Sequence, residues 1–264
     1  MDYKYEDFLH DYDEDEDYFG REDELAFVYS LDRAFAGDIE YMRTLGIIYS
    51  SDGHGVKIDY DKAIFWFYKA AELGDQGSAL RLADIYFDCE GVPHDYKKAL
   101  MLYEIAAKAD NRKATARLGM MYFYGFGCEK NMRKARELLA RAAAENEWEG
   151  LYYYYRVLKA DGDEAWVEYL KRAAYHGNGK ACWDMIKNFA DELDDKKFLL
   201  YLAHAANHYS FDFEPMQAQL MLADCYMRGY RMKKSLESAG HYYKMAAEGG
   251  SQEAKEALKQ YFMN

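Results

Sequence analysis

The sequence is poor in residues that break helices, and none of its segments is long and apolar enough to cross a membrane. It has two prolines in 264 residues, and its apolar runs stay below the ~18 residues that a membrane-spanning helix needs. The first twenty residues are acidic and have no apolar core, unlike a secretory signal peptide. We therefore expect a soluble, cytoplasmic, mainly helical protein that does not bind membranes.

Cysteine is also scarce, and its spacing suits neither zinc nor disulfides. The four cysteines lie 39, 54 and 43 residues apart, and no C-x-x-C pair occurs. Zinc sites and small disulfide-rich domains have closer cysteine pairs. We expect reduced thiols, no metal and no other cofactor.

Positive charge is too sparse for a nucleic-acid-binding surface. The net charge is −13, and residues 1–24 contribute −10 of it through twelve acids and two bases. The remaining 240 residues therefore sum to only −3. Because nucleic-acid binders neutralise phosphates with basic surfaces, we expect no nucleic-acid partner. Residues 1–20 are interpreted as an acidic, aromatic-containing, flexible tail.

Two patterns resemble metal sites, and each lacks a required residue. His204 and His208 are separated as two metal ligands on one helix would be, but Ala205 stands where the metalloprotease motif needs Glu. The acids beginning at Asp11 resemble a calcium loop, but the sixth place is Glu16 instead of Gly. We interpret the first as a histidine pair without metal and the second as a solvated segment.

No arrangement typical of catalysis is found in the sequence. The segments GHG at 53–55 and GFG at 125–127 could be mistaken for phosphate loops, but no strand precedes them and no Gly-Lys-Ser follows. They are interpreted as turns between helices. We therefore predict no catalytic residues, and an enzyme is the least favoured class.

A repeated pattern runs through most of the chain. An Ala-Ala pair recurs six times, in steps of 36, 36, 31, 32 and 41 residues. The pairs are at 70/71, 106/107, 142/143, 173/174, 205/206 and 246/247. Apolar residues near each pair are spaced i, i+3, i+7 and i+8, which is typical of a helix face. Each pair thus marks one helix, called helix B.

A second pattern alternates with the first and marks a helix A. Its fifth residue is large and apolar, its sixth is Gly or Ala, and its ninth is Tyr. It occurs as YMRTLGIIY (41–49), SALRLADIY (78–86), ATARLGMMY (114–122) and AQLMLADCY (218–226). The small sixth residue would let another helix approach closely. Gly followed by Asp, Asn or Ser ends helix B and caps the next helix A, as at Gly37-Asp38, Gly74-Asp75, Gly177-Asn178 and Gly250-Ser251.

These residues resemble the Sel-one-like repeat (SLR) family, which is related to the tetratricopeptide repeat. The first unit has the family pattern at Leu45, Gly46, Tyr49, Gly53, Gly55, Val56, Asp59, Lys62, Ala63, Trp66, Lys69, Ala70, Ala71, Glu72 and Gly74. The resemblance covers roughly residues 25–260. It implies an all-α, right-handed α-α superhelix of about six helix-turn-helix units, with capping helices at both ends, that scaffolds protein complexes.

The pattern divides residues 21–264, a single solenoid domain, into successive units. A lone helix B spans 24–37, and the units span about 38–74, 75–110, 111–146, 147–177, 178–209 and 215–250, followed by a terminal helix at 251–263. The fourth and fifth units are short and lack the glycine-rich turn. The run YYYY at 152–155 is interpreted as helix A of the fourth unit, with Tyr154 at the core position and Tyr155 where other units have Gly or Ala.

Binding residues are predicted from the way the tetratricopeptide relatives orient helix A. If that orientation holds, certain side chains of helix A face the concave side of the solenoid and bind a peptide or protein. These are Arg43, Asp84, Phe87, Phe123, Tyr152, Arg156, Trp183, Lys187 and Asp224. Aromatic and Arg residues are common interface hot spots.

The favoured function is a non-catalytic scaffold or adaptor whose partner is a protein or peptide. A cytosolic immunity protein, which would neutralise a toxin or enzyme through acidic surface, is the alternative. The acidic tail could also dock in the basic, aromatic groove of the fourth and fifth units, or serve as a second binding element.

Overall fold

The computed structural model describes residues 3–8, 11, 21–52, 56–210 and 213–262. Most of the predicted acidic tail, including Asp13, Asp15 and Glu16 of the calcium-like pattern, lies outside these residues. The GHG turn at 53–55 lies outside them as well.

The described residues form fourteen α-helices, two short 3₁₀ helices and no strand, which confirms the all-α prediction. The chain divides into two compact units, Met1–Asn131 and Met132–Asn264. The first contains α1 (Arg21–Phe35), α2 (Ile39–Ser50), α3 (Tyr60–Glu72), α4 (Gln76–Asp88), α5 (Tyr96–Lys108) and α6 (Arg112–Tyr124). The second contains α7 (Met132–Ala144), α8 (Trp148–Ala160), α9 (Trp166–Tyr175), α10 (Gly179–Phe189), α11 (Asp195–Ala206), α12 (Met216–Arg228), α13 (Leu236–Glu248) and α14 (Gln252–Phe262). The 3₁₀ helices are Tyr5–Asp7 and Ala190–Glu192.

Within each of the two compact units, every helix packs on the helix that follows it, as expected of the helix pairs of a repeat protein. The first alanine of every Ala-Ala pair is buried, and so is the large residue three places before it. These large residues are Phe67, Tyr103, Leu139, Leu170, Leu202 and Tyr243. The same two positions therefore supply the core of each successive helix pair, because a spacing of three places both on one helix face.

The glycine at the sixth place of helix A allows the close approach that the sequence predicts. A Cβ atom on Gly46 of α2 would lie 2.6 Å from ring carbons of Phe67 on α3. Gly150 of α8 stands at the first place of its pattern and allows a similar approach, because a Cβ there would meet the Cβ of Ala142 on α7 at the same distance. Such distances are shorter than any van der Waals contact, so both helix pairs depend on the missing side chain.

The predicted caps are present at all four Gly-cap junctions. The glycines have positive φ, between 77° and 102°. The residue after each glycine accepts a hydrogen bond from a backbone amide in the first turn of the next helix A; the acceptors are Asp38, Asp75, Asn178 and Ser251. Local sequence alone therefore places the start of these helices.

One backbone hydrogen bond closes the turn between the two helices of most repeats. The carbonyl of the ninth residue of the helix A pattern accepts from the amide of the residue just before helix B or, in the fourth unit, from the amide three residues before it. The pairs are Asp59 to Tyr49, Asp95 to Tyr86, Asn131 to Tyr122, Asp163 to Leu158 and Ser235 to Tyr226, at 2.8–3.1 Å. The short fourth unit keeps this bond, although it lacks the glycine-rich turn.

The tyrosine run lies within α8 and is helical throughout. Tyr152, Tyr153 and Tyr155 are buried, whereas Tyr154 is only partly buried. The ring of Tyr154 packs edge-on against Tyr169 of α9, with the ring centroids 4.7 Å apart. Tyr154 is therefore not the core residue that alignment with the other units predicts. Tyr155, which stands where other units have a small residue, is buried instead.

Residues 3–8 and 11, named here the N-terminal segment, pack against α1, α2 and α3. The side chain of Phe8 is fully buried among Tyr49, Phe65 and Trp66. The prediction of a flexible tail is therefore wrong for these residues. For these residues, docking on the fourth and fifth repeats is also wrong, because they contact α1, α2 and α3.

None of the helices among the described residues is long and apolar enough to span a bilayer.

Candidate functional site

Four aromatic residues that were predicted to face a groove are buried. The exposed fraction is 2% for Phe87, 6% for Tyr152, and 9% for both Phe123 and Trp183. Phe87, for example, packs on Phe126, with the ring centroids 5.7 Å apart. These rings stabilise contacts within the chain, so the prediction that they form an open binding surface is corrected.

The two predicted aspartates bind tyrosines of their own repeats. Asp84 accepts a hydrogen bond of 2.6 Å from the hydroxyl of Tyr103, and Asp224 accepts one of 2.5 Å from Tyr243. Lys113 also forms a 2.9 Å ion pair with Asp84. Because both tyrosines are buried, each aspartate supplies the partner that a buried hydroxyl needs. Burial and the neighbouring carboxylate both raise the pKa of Tyr243.

This bond gives a testable stability prediction. Asp224→Ala should lower the free energy of unfolding by ~1–3 kcal/mol, because it leaves the buried hydroxyl of Tyr243 without its acceptor. The double variant Asp224→Ala/Tyr243→Phe should recover part of the loss, since no unpaired hydroxyl remains. Urea unfolding of the wild type, the two single variants Asp224→Ala and Tyr243→Phe, and the double variant measures the coupling energy between the two side chains. Strictly additive losses would contradict the assignment.

Two predicted arginines contact other residues of the chain. Arg43 donates to Asp75, the cap of α4, at 2.8 Å. The guanidinium carbon of Arg156 lies 5.7 Å from the ring centroid of Tyr152. Both side chains are partly exposed, so they keep surface that a partner could contact.

Lys187 and Asp224, by contrast, line one cleft in the second compact unit, Met132–Asn264. This α10–α12 cleft has a volume of 710 Å³. Its lining comes from α10, the 3₁₀ turn after it, α11, α12 and the residues just after α12. The lining residues are Ile186, Lys187, Ala190, Phe198, Met221, Asp224, Cys225, Arg228, Gly229 and Tyr230.

The cleft combines apolar surface with basic residues. Phe198 is buried, whereas Met221 and Tyr230 are 37% and 53% exposed. Large apolar side chains that stay exposed beside a concave surface are typical of binding sites. Lys187 and Arg228, both exposed, contribute two cations to the lining.

Arg231 fixes one side of this cleft. Its guanidinium carbon lies 4.5 Å from the ring centroid of Phe198, and it donates to the carbonyl of Leu193 at 3.0 Å. It therefore connects the residues after α12 to the turn that precedes α11. Arg231 was not singled out from the sequence, and only its positive φ of 58°, unusual for a non-glycine residue, marks it as special.

Cys225 lines the cleft but is not suited to nucleophilic chemistry. Burial raises the pKa of its thiol, and the neighbouring Asp224 carboxylate raises it further. Burial likewise raises the pKa of Cys182 to about 12. None of the four cysteines forms a disulfide. A thiol with a raised pKa is a poor nucleophile at neutral pH.

A second cleft, in the first compact unit, Met1–Asn131, was missed by the sequence analysis. This α3–α5 cleft also measures 710 Å³ and is lined by side chains of α3, α4, α5 and the turn before α5. Lys98 lies over the ring of Tyr86, 4.8 Å from its centroid, and Tyr68 is 51% exposed. The aromatic residues of the helix B segment could have suggested it, but their exposure depends on the neighbouring repeat.

Within the described residues, no group of His, Cys, Asp and Glu side chains is arranged to hold a metal ion. His208 follows the end of α11, and a Cβ on Gly179 would lie 2.2 Å from the Cβ of His208. This histidine thus packs against the start of α10.

The match to a known family is decided by the repeats themselves. The model of the Sel1 repeat family matches residues 40–75, 77–111, 112–147 and 217–251, which is more than half of the chain. The chain belongs to the Sel1 repeat family. Members of this family are generally non-catalytic scaffolds for protein interactions. The short fourth and fifth units lie between the third and fourth matches, in agreement with their departure from the pattern.

Solved structures show the same fold. A Sel1 repeat protein from Oxalobacter formigenes is 26% identical, with a TM-score of 0.70 over 87% of this chain and 69% of that one. A protective antigen of uropathogenic Escherichia coli with an SLR fold is 19% identical, with a TM-score of 0.57 over 91% of this chain and 60% of that one. No curated protein matches the sequence. The chain therefore has the helical-repeat solenoid fold of the SLR proteins.

Proposed function

We propose that this Sel1 repeat chain is a non-catalytic scaffold that binds a peptide or protein at the α10–α12 cleft. The observation that supports the proposal is a 710 Å³ cleft with exposed apolar side chains and two predicted binding residues, Lys187 and Asp224. Family membership supports the general role, and the exposed apolar and basic lining of the cleft supports the location that we propose.

The cleft favours a partner segment with an apolar or aromatic anchor and an acidic group nearby. Phe198 and Met221 would contact the anchor by burying apolar surface. Arg228 is exposed, and Lys187 is neutralised only in part by its 2.6 Å ion pair with Asp184. These cations would attract the acidic group, which improves specificity and the rate of association more than affinity.

Nothing among the described residues gives specific support to the immunity-protein alternative. The acidic residues behind it lie mostly outside the described part of the chain, and the described Asp11 is neutralised by Lys62 at 2.5 Å.

A pair of matched variants tests the proposal. Met221→Glu/Tyr230→Ser removes the exposed apolar surface of the cleft, and Leu200→Glu introduces a charge at another exposed apolar residue of the second unit. In affinity capture from the native cell, we expect a partner's recovery to fall by ~10-fold or more for the cleft variant, as loss of an interface anchor implies. The Leu200 variant should retain it.

Circular dichroism should show both variants folded, since the substituted residues are exposed. Equal recovery of every partner by the wild type and the cleft variant would place binding elsewhere.

A further inference from the structure

We propose that the N-terminal segment is an intramolecular ligand, which occupies a peptide-recognition site formed by α1, α2 and α3. The site fits a short peptide with an aromatic residue followed three places later by an acid. In the free chain, Phe8 and Asp11 of the chain itself fill the two positions. This site is separate from the α10–α12 cleft, so the two proposals stand or fall independently.

The apolar half of the site is a pocket of aromatic rings. The ring centroid of Phe8 lies 5.2 Å from that of Trp66, 5.8 Å from Phe35, 5.9 Å from Tyr49 and 6.0 Å from Phe65. Phe8 has no exposed surface. Three different helices thus contribute rings to one pocket for a single side chain, as in hot-spot pockets of protein interfaces.

The polar half of the site is a cation with a matching hydroxyl. Lys62 binds the carboxylate of Asp11 at 2.5 Å, and the hydroxyl of Tyr49 donates to the same carboxylate at 2.6 Å. Lys62 also donates to the carbonyl of Asp7 at 3.0 Å. Its side chain is only 13% exposed, and Asp11 is its ion-pair partner among the described residues. A cap that merely covered apolar helix ends would not need this largely covered cation.

The N-terminal segment contacts the helices mainly through its side chains, as a bound peptide does. Its backbone hydrogen bonds are local, from Asp7 to Lys4, from Phe8 to Tyr5 and from Asp11 to Phe8. Side chains make most of the contacts to the helices, including a 2.6 Å hydrogen bond from the Tyr5 hydroxyl to Asp32 of α1. Among the described residues, no strand pairing joins the segment to the helices, so its attachment depends on side-chain anchors that another peptide could supply.

The covalent link gives the segment an advantage over any free peptide. Residues 12–20 connect Asp11 to the start of α1. A short covalent link raises the effective concentration of the segment at the site, so a free peptide of equal affinity competes poorly. The site would therefore open to an outside peptide only when the segment is weakened or outcompeted.

A labelled peptide of residues 1–12, MDYKYEDFLHDY, tests this directly. It is titrated by fluorescence anisotropy against the full-length wild type and the full-length Phe8→Ala and Asp11→Asn variants. We expect saturable binding to both variants and at least ~10-fold weaker binding to the wild type, in which the segment competes from within. The Asp11→Asn chain keeps the experiment decisive if Phe8→Ala does not fold.

Matched peptides test the recognition chemistry. An Asp11→Asn peptide should bind the opened chain ~10-fold or more weakly, because it loses a charge-assisted hydrogen bond and an ion pair. A Glu6→Gln peptide loses the same charge at an exposed position and should bind within about twofold of the parent, as expected of an exposed charge. Absence of saturable binding to a folded variant, or equal binding to wild type and variants, would overturn the proposal.

Discussion

Replacing Trp66 by alanine is expected to lower the free energy of unfolding of the first compact unit by ~3–5 kcal/mol, as the truncation of a large buried side chain does. The indole is 1% exposed. Its ring centroid lies 5.0 Å from those of Phe35 and Phe65 and 5.2 Å from that of Phe8. These rings come from the N-terminal segment, α1 and α3, so one deletion leaves a cavity that no single neighbour can fill. Hydrogen exchange of α2 and α3 amides measures the loss.

Leu102→Ala is the matched control for this prediction. Leu102 stands four places before its Ala-Ala pair, as Trp66 does, but it is only partly buried. Its truncation should cost less than ~2 kcal/mol, since less apolar area returns to water. Equal losses of unfolding free energy for the two substitutions would contradict this account. They would show that the contacts of Trp66 with the N-terminal segment and α1 add nothing to its effect on stability.

Replacing Gly46 by alanine should destabilise the chain by ~1–3 kcal/mol, although alanine is the better helix former. The new methyl group would lie 2.6 Å from two ring carbons of Phe67 and 2.9 Å from a third. Phe67 is 1% exposed, so neighbouring atoms cover nearly all of its ring. The two helices must therefore separate or the ring must leave its preferred rotamer. Urea unfolding followed by circular dichroism measures the effect.

Gly77→Ala provides a control of opposite sign. Gly77 lies in the first turn of α4, and a Cβ there would meet no atom closer than 3.4 Å. Without a clash, the substitution should be neutral or should stabilise by up to ~1 kcal/mol through reduced backbone entropy in the unfolded state. A stabilising Gly46→Ala would show that the helices do not depend on the glycine for their close approach.

The repeat could be predicted from the sequence because its signals are local. A cap such as Asp75 and the glycine before it act within one turn of chain, and the Ala-Ala spacing fixes which helix face is buried. The hydrogen bond from the Asp59 amide to the Tyr49 carbonyl forms between residues ten apart, and its counterparts form between residues nine apart or, in the fourth unit, five apart. Because each pattern recurs in several repeats, each prediction has several independent observations in the sequence.

The binding surface could not be predicted equally well because it depends on distant contacts. Phe87 is covered in part by Phe126, which comes from the turn after α6. The α10–α12 cleft needs the 3₁₀ turn at Ala190–Glu192 and the position of Arg231, and neither follows from the repeat pattern. Lys187 and Asp224 were identified, but only the structure shows that they share a cleft.

The N-terminal segment shows the same limit. Its acidic composition predicted a solvated chain, yet Phe8 is buried and Asp11 binds Lys62, 51 residues further along. Composition describes the average of residues 1–20, whereas docking depends on two side chains and their spacing. The signal that could have revealed it is an aromatic residue and an acid separated by three places.

Photo-crosslinking tests the central claim most directly, because it locates the partner on the chain. A photoreactive phenylalanine analogue is placed at Tyr230, in the α10–α12 cleft, or at Leu200, which is equally exposed in the second unit but does not line the cleft. Our account predicts a covalent adduct between the captured partner and the Tyr230-substituted chain, with little or none at Leu200. An adduct at Leu200 without one at Tyr230 would contradict it.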